Sequence, residues 1–207
     1  MIQYPYFNGD NPNGKNGQKL AEKLKAKIEK ISDIKRICEL GCGNGYFVSS
    51  LKSAGYGILG IDASVSGIEY AKKNYGKWAQ FLCREISPSL SSEVGEGNFD
   101  LVIAIETIEH LFHPSYLIET AKALLRPNGY LLLTTPYHGY LKYLVLGLTG
   151  QMDKHLNPLY DCGHIKFFST KTLSQLISKC GFKNVQFEFF GRFPGLWKSM
   201  ICMARKP

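Results

Sequence analysis

The sequence contains no CxxC pair and no long apolar run. Its six cysteines are scattered singly, so neither a zinc ribbon nor a thioredoxin-like site is indicated, and reduced interior thiols are expected. No stretch approaches the roughly 18 apolar residues of a membrane span, and the first residues lack the basic-then-apolar layout of a secretion signal. Together these absences predict a cytoplasmic protein.

Acidic residues are in the minority. The 207 residues include 25 Lys and Arg against 17 Asp and Glu, which gives a formal charge of +8. A basic surface suits nucleic acid, an anionic membrane or an acidic substrate. Half of the surplus lies in residues 1–36, where Leu20, Leu24, Ile28 and Ile31 recur at helical spacing. We interpret this segment as a helix that packs on the core with a solvated lysine face, with a membrane-facing or RNA-facing helix as the alternative.

Short apolar runs alternate with helical segments along most of the chain, whose length suits one domain. Such runs are typical of a parallel sheet that is covered on both faces, because neither face of its strands meets water. The segment SPSLSSEVGEGN is predicted to be a surface connection, and two strand-like pieces parted by GRFPG follow the last helix. The predicted strands are IKRICEL, YGILGID, AQFLC, FDLVIAIE and GYLLLTTP, and the predicted helices span residues 46–55, 66–75, 114–125 and 169–181.

The stretch ICELGCGNG places Gly41, Gly43 and Gly45 between the first predicted strand and the helix that follows it. Glycines there let the chain turn tightly and let a ligand approach the main chain. The helix that follows directs its free N–H groups toward anionic parts of that ligand. The dinucleotide fingerprint is G-x-G-x-x-G with an acidic residue about 20 residues later. Here the spacing is G-x-G-x-G, and Asp62 follows Gly43 by nineteen residues, at the end of the second apolar run. The combination predicts a ligand site whose acidic residue meets ribose hydroxyls.

Four motifs, ELGCGNG, GIDAS, FDLVIAIETIEHL and LLRPNGYLLLTTP, occur in this order within residues 34–182. In them the chain resembles the class I S-adenosylmethionine-dependent methyltransferases. The stretch IETIEHL, followed by GHIKFFSTKTLSQLISKCGF, is most similar to the branch with the ubiquinone-biosynthesis O-methyltransferases. The resemblance implies a doubly wound, mostly parallel, seven-stranded Rossmann-like α/β sheet with helices on both faces. It also implies S-adenosyl-L-methionine as cofactor and in-line transfer of a methyl group to an oxygen or nitrogen of a small molecule.

On this resemblance the chain is a single methyltransferase domain, residues 1–207. A basic N-terminal helix (1–33) precedes the cofactor-binding core (34–136), and a C-terminal helix and strands (169–207) end the chain. The irregular stretch 137–168 follows the fifth strand, at the carboxyl edge of the sheet, where open α/β sheets bind ligands. We therefore predict that residues 137–168 are an inserted substrate lid.

The resemblance also implies which residues bind the cofactor. Glu39 and the loop glycines surround its amino acid and ribose, Asp62 contacts the ribose hydroxyls, and Ala63 lies near the adenine. Many relatives have an Asp after the third strand that meets the adenine amino group. This chain has FLCREIS there, so Glu85 is the candidate, with a main-chain amide as the alternative. The full set is Glu39, Gly41, Cys42, Gly43, Asn44, Gly45, Asp62, Ala63, Glu85, Ile105 and Glu106, the last two on the floor of the site.

Methyl transfer to a hydroxyl also needs a proton acceptor, and histidine is the side chain most readily poised for that role near neutral pH. His110 is the first candidate, because the resemblance places it beside the transferred methyl group, and His164 is the second. A purely structural role stays open for each. Glu106, Glu109 and His110 can share one face of a helical turn, and similar sequences suggest a divalent cation there. We predict no metal.

Rival functions fit the sequence less well. A methyltransferase for adenine amino groups in nucleic acid would carry an Asn/Asp-Pro-Pro-aromatic loop after the fourth strand, where this chain has IETIEH. An NAD-dependent oxidoreductase does not fit the glycine spacing, and a noncatalytic cofactor-binding protein is left open.

The predicted partner is a small-molecule acceptor; peripheral membrane contact is left open, and nothing in the sequence indicates an oligomeric state. The lid is rich in aromatic residues that suit a ring, a sugar or a lipid-linked group: Tyr137, Tyr140, Tyr143, Tyr160, Phe167 and Phe168.

Overall fold

Seven strands form one mixed sheet: β1 (Arg36–Leu40), β2 (Gly57–Asp62), β3 (Gln80–Cys83), β4 (Phe99–Ile105), β5 (Leu125–Pro136), β6 (Lys183–Phe190) and β7 (Ser199–Arg205). The structure, a computed structural model, describes residues 14–52, 55–159 and 163–207. The strand order is β3-β2-β1-β4-β5-β7-β6. Strands β1 to β5 are parallel to their neighbours among themselves, whereas β7 runs antiparallel to both β5 and β6. The predicted doubly wound, mostly parallel seven-stranded sheet is confirmed.

The central strands are buried on both faces, as their continuous apolar runs predict. Leu101, Val102 and Ile103 of β4 are fully buried, and so are Leu131 and Leu132 of β5. Burying a side chain of this size stabilises the fold by about 1.5–3 kcal/mol relative to leaving it exposed. These runs hold the carboxyl ends of β1, β2 and β4 side by side, and the loops that follow those ends meet at one edge.

Eight α-helices lie among the residues that the structure describes: α1 (Gly14–Ile28), α2 (Tyr46–Ser50), α3 (Val65–Tyr75), α4 (Leu90–Val94), α5 (Pro114–Leu124), α6 (Tyr140–Leu148), α7 (Met152–His155) and α8 (Thr170–Lys179). The prediction of a plain surface connection was wrong for α4, because Leu90 packs into the core and Ser91 is buried. Helix α2 ends before the predicted Gly55, and residues 53–54 lie outside the described residues. Strand β5 begins at Leu125, earlier than predicted, where the chain pairs with Phe99.

The first helix packs on the core, as its apolar spacing predicts. Leu20, Leu24 and Ile28 are buried against the same cluster as α2 and the outer face of β1. Its lysines lie off the buried face: Lys15 and Lys19 are exposed, and Lys23 pairs with Glu188 of β6 at 3.3 Å, beside a second ion pair from Lys27 to the same carboxylate. The basic surplus of this segment is therefore explained in large part by a solvated helix face that also ties α1 to the sheet.

Residues 137–168, which we call the lid segment, follow β5 and contain α6 and α7. Phe168 packs in the core at the end of this segment. There Ser169 caps α8 through a hydrogen bond from the Thr172 N–H to its hydroxyl, which confirms the predicted cap. Tyr160, one of the aromatic residues predicted for the lid, and Cys162, one of the six cysteines, lie outside the described residues. In the described parts of the chain, no helix is both long and apolar enough to cross a bilayer.

Candidate functional site

The glycine loop turns back on the end of β2. The main-chain N–H groups of Gly41 and Cys42 both donate to the carbonyl of Ile61, at 2.8 and 3.0 Å. Gly41, Gly43 and Gly45 all have positive φ, at 80°, 53° and 77°. Side chains other than glycine adopt that region at a cost, so the residue type is fixed by the path of the chain. The result is a bare main-chain surface at the start of α2.

Gly41 is also closely covered. A Cβ at Gly41 would lie 2.4 Å from both Cγ2 and Oγ1 of Thr107, whose hydroxyl donates to the Ile105 carbonyl at 3.0 Å. We expect Gly41→Ala to lower the free energy of unfolding by about 2 kcal/mol, through left-handed strain and this overlap. Urea unfolding measures the change. Gly57→Ala is the matched control, because Gly57 lies on a neighbouring strand where a Cβ would meet nothing closer than 3.7 Å. Equal stability of the two variants would contradict the prediction.

Asp62 joins the glycine loop to the next helix. One carboxylate oxygen accepts the Gly43 N–H and the other accepts the Ser64 N–H, each at 2.8 Å. Burial raises the pKa of the Asp62 carboxyl, while these N–H groups act in the opposite direction. A carboxylate has about four lone-pair positions, so these N–H groups leave acceptor capacity for a further donor. The residue therefore both builds the loop and offers acceptor positions beside it.

Glu39 lies at the end of β1, beneath the loop, and is 3% exposed. Its Oε2 atom has no hydrogen-bond partner among the residues that the structure describes. Burial, and then the nearby charge of Asp62, raise the pKa of the Glu39 carboxyl to about 8. A buried carboxyl with an unused oxygen is costly unless a donor reaches it, so Glu39 is suited to receive a cationic or N–H group of a ligand.

The remaining predicted cofactor residues differ in their surroundings. Cys42 and Asn44 are buried, and burial raises the pKa of the Cys42 thiol, so it is unsuited to act as a nucleophile. The Asn44 Oδ1 atom accepts the Tyr46 N–H at 3.1 Å and so helps start α2. Ala63 follows β2 directly, and its carbonyl faces the Cys83 thiol at 3.7 Å. Glu85 is exposed, and its proposed role toward the adenine stays a prediction.

The end of β4 forms the floor beside the glycine loop. Ile105 is half-buried, and Glu106 has a positive φ of 47°. That conformation is fixed by Thr134 of β5, whose carbonyl and hydroxyl both accept the Glu106 N–H at 3.1 Å. The Thr134 hydroxyl donates in turn to Glu106 Oε1 at 2.9 Å. Thr134 and Thr107 shape the site but carry no sequence motif, so sequence reasoning missed both.

Three side chains meet just beyond this floor. The ligand atoms of Glu109, His110 and His164 all lie within 4.8 Å of one another. His164 Nε2 is 4.0 Å from Glu109 Oε1, and the two imidazole rings are 4.9 Å apart in an edge-on arrangement. The structure thus brings together the two predicted catalytic histidines, 54 residues apart in sequence. One carboxylate and two imidazoles could hold a divalent cation. This set contains His164 where the sequence alternative had Glu106.

Glu109 is fully buried, and neither of its carboxylate oxygens has a hydrogen-bond partner within the described parts of the chain. Burial, and then the charge of Glu106, raise the pKa of this carboxyl well above its ordinary value. Burial also lowers the pKa of His164 to about 4, with the charge of His110 acting in the same direction. The raised pKa favours the protonated form of Glu109, and His164 is neutral at pH 7.

A second polar cluster lies within the lid segment itself. Tyr143 and His138 Nδ1 are hydrogen-bonded at 2.8 Å, and the ring of His155 lies 5.5 Å from that of His138. Lys142 of α6 is buried with them and donates to the Tyr137 carbonyl at 2.8 Å. Sequence analysis missed Lys142, because a lysine in an apolar helix is normally expected to face water. His113 lies apart from both clusters and stacks on Tyr116.

Comparisons with known proteins found methyltransferases. A family model described as a methyltransferase domain matches residues 13–187. The chain is 32% identical over 142 residues to a ubiquinone biosynthesis O-methyltransferase of Dechloromonas aromatica, a match that covers 68% of this chain and 61% of that protein. A protein of the same name from Aromatoleum aromaticum is 25% identical over 153 residues, covering 73% of this chain and 65% of that one. The chain thus spans less than two thirds of the length of these curated relatives.

Solved structures show the same fold. A SAM-dependent methyltransferase from Archaeoglobus fulgidus aligns with a TM-score of 0.71 and 17% identity, over 91% of this chain and 94% of that one. Magnesium protoporphyrin IX methyltransferase from Synechocystis, solved with bound SAH, aligns with a TM-score of 0.66 and 19% identity, over 93% and 84% of the two chains. At these identities the likeness concerns the fold.

Proposed function

Because the chain belongs to the methyltransferase-domain family, we propose that it transfers a methyl group from S-adenosyl-L-methionine to an oxygen or nitrogen of a small-molecule acceptor. The observation that carries the proposal is the joint geometry of the glycine loop and Asp62. A bare main chain and a carboxylate with free acceptor positions lie within one hydrogen bond of each other, at 2.8 Å. The ubiquinone-biosynthesis relatives support an oxygen acceptor.

The residues around the loop fit the parts of the cofactor. Asp62 accepts the ribose hydroxyls with the lone pairs that Gly43 and Ser64 leave free. Glu39 receives the methionine ammonium at its unused oxygen, since a cation is the group that a buried carboxyl needs most. Gly41, Cys42, Gly43, Asn44 and Gly45 supply the main chain beside the methionine, Ala63 and Glu85 the adenine end, and Ile105 and Glu106 the floor.

When bound, the cofactor would supply an electrophilic methyl group on its sulfonium for in-line attack by the acceptor, with the thioether as leaving group. The protein must align the acceptor, exclude water and take up a proton from a hydroxyl acceptor. His110 and His164 lie just beyond Glu106, where the acceptor would sit, and neutral His164 can take that proton. We propose that the lid segment covers this edge of the sheet and keeps water out. The protein itself provides the proton acceptor, so we propose no metal.

Calorimetric titration tests the proposal directly. We expect S-adenosylmethionine and S-adenosylhomocysteine to bind the purified protein and NAD to be inert. A search for acceptors among ring hydroxyl and ring amine compounds, with S-adenosylhomocysteine production as the readout, would then follow. Binding of NAD alone would overturn the proposal. Cofactor binding without turnover of any acceptor would favour the alternative of a noncatalytic binding protein.

Proton release on cofactor binding is a further expected result. At pH 7 the Glu39 carboxyl is mostly protonated, because its pKa is raised to about 8. A bound ammonium favours the charged form, so binding should expel close to one proton near neutral pH. Affinity should therefore rise with pH and level off above pH 8. Titrations in two buffers of different ionisation enthalpy measure the number of protons. Glu39→Gln is the control and should release none; equal release by both proteins would contradict the assignment.

Peripheral membrane contact stays a proposal, supported by one surface. Tyr140, Leu141, Leu144 and Leu148 of α6 are exposed, and exposed apolar groups on a basic protein suit an anionic bilayer. Sedimentation with anionic lipid vesicles measures such binding. The division of the chain into core and lid, the cytoplasmic location and a small-molecule rather than nucleic-acid acceptor likewise stay predictions.

A further inference from the structure

Helix α6 buries its charged residue and exposes its leucines. Its sequence YLKYLVLGL contains one charged residue, and that residue, Lys142, is the only one in the helix that is buried, at 4% exposure. In contrast, Leu141, Leu144 and Leu148 are exposed. A helix that packs on a core normally does the opposite. Burying an ammonium costs several kcal/mol unless it is paired. Because the helix buries its lysine and leaves its leucines exposed, we infer that the buried charge has a function.

The partners of Lys142 account for only part of its charge. Its Nζ donates to the Tyr137 carbonyl at 2.8 Å, and the carboxyl of Glu106 attracts it. Burial, and then the charge of Arg192, lower the pKa of Lys142 to about 8. Glu106 in turn has its own pKa raised by burial and shares its oxygen with Thr134. An additional anion beside Lys142 would therefore be bound favourably.

Two imidazole nitrogens in the same cluster also have no partner among the described residues. His138 is 5% exposed, and the Nε2 atoms of both His138 and His155 are buried and not hydrogen-bonded. When the Tyr143 hydroxyl donates to His138 Nδ1 at 2.8 Å, Nε2 carries the ring proton and becomes a donor. Burial lowers the pKa of His138 to about 3, with the charge of Lys142 acting in the same direction. The rings are thus neutral, and each Nε2 atom can donate a hydrogen bond to a ligand or accept one from it.

We propose that Lys142, with His138 and His155, forms a subsite that binds an anionic oxygen of the methyl acceptor. The inference rests on the proposed function, and it narrows the acceptor to an acidic one. The anionic oxygen has two sources: a carboxylate elsewhere on the acceptor, which would be held for positioning, or the reacting hydroxyl itself in its ionised form. Aromatic side chains near the subsite, Phe167 at 5.1 Å from the His138 ring among them, suit an acceptor built on a ring.

Binding to the S-adenosylhomocysteine-loaded protein tests the subsite. The probes are 4-hydroxybenzoate, its uncharged counterpart 4-hydroxybenzamide, and 4-nitrophenol, whose anion is coloured. Preference for the acid over the amide identifies a carboxylate, whereas an increase in the coloured anion on binding of 4-nitrophenol identifies an ionised hydroxyl. For the preferred anion we expect Lys142→Met to weaken binding at least about 30-fold, because one partner of a buried charge pair is lost.

Matched variants separate this role from a structural one. Lys142→Arg keeps the charge and should bind the anion within a few-fold of wild type, and Lys154→Met, an exposed lysine of the same lid segment, should change nothing. If Lys142→Met does not fold, the same binding measurement on His138→Gln tests the subsite. We expect this variant to lose the preference for the anion. Unchanged anion binding in these variants, equal binding of acid and amide without the coloured anion, or no binding of any probe would overturn the subsite. If the subsite is overturned but the wild-type protein binds S-adenosylhomocysteine, the proposed function still stands. If the wild-type protein does not bind S-adenosylhomocysteine, the proposed function itself is rejected.

Discussion

Asp62→Ala should bind S-adenosylmethionine about 100-fold more weakly than the wild-type protein, since two charge-assisted hydrogen bonds to the ribose are lost. The same change removes the acceptors of the Gly43 and Ser64 N–H groups, which now hold the loop at 2.8 Å. Loop disorder would add to the loss of affinity. On the proposed function, the carboxylate would act on the ligand both directly and through the main chain that it positions.

Calorimetry with both adenosyl ligands measures this effect, and thermal unfolding without ligand shows whether the variant folds. Asp62→Asn keeps the size of the side chain but removes the charge, so its affinity should fall between those of the other two proteins. Asp153→Ala removes an exposed acid of the lid segment and serves as the control for net charge. An affinity for Asp62→Ala within threefold of wild type would remove the main support for the cofactor assignment.

His164→Asn should lower kcat about 100-fold at pH 7 without changing S-adenosylhomocysteine affinity, because general-base contributions are typically of this size or larger. Nε2 of His164 is 4.0 Å from Glu109 Oε1, which is beyond hydrogen-bond distance, so Glu109 does not occupy this nitrogen. The pKa of His164 is lowered to about 4. The ring accepts a proton only while neutral, so kcat should fall as the pH drops toward that value and be level above it.

The rate is measured with whichever ring compound the wild-type protein methylates. His110→Asn tests the other candidate, and His113→Asn is the control, since His113 stacks on Tyr116 outside the cluster. Full activity of His164→Asn together with a large loss in His110→Asn would move the base to His110. Full activity of both variants would mean that neither histidine takes up the proton, as expected if the acceptor arrives already ionised.

The parts of the fold and of the candidate site that local sequence dictates could be predicted. Left-handed glycines are required where a loop turns tightly, so the spacing of Gly41, Gly43 and Gly45 is enough to mark the loop. Asp62 has a fixed place because it ends a buried strand next to that loop. The sheet could be predicted from its continuous apolar runs, since such runs alternating with helical segments are typical of strands covered on both faces.

The rest of the site depends on contacts between distant segments. Glu109 and His164 meet because the main-chain N–H groups of Ile165 and Lys166 donate to the Glu109 carbonyl, at 2.9 and 3.0 Å. No local pattern announces such a pairing. Lys142 was missed for a different reason. Apolar periodicity predicts that the face with most apolar residues is buried, and in α6 the buried residue is the lysine. Departures of this kind are expected where function outweighs packing.

The placement of β7 has a consequence for how the protein is made. This strand is the last of the seven in the chain, yet it lies between β5 and β6 and pairs with both. While the ribosome is still adding residues 199–205, β5 has an open edge and β6 has no strand to join. The nascent chain can assemble the parallel half of its sheet first, but the sheet closes only once residue 205 has emerged. During that interval the unpaired edge of β5 can pair with a wrong strand, and we expect chaperone binding to be strongest then.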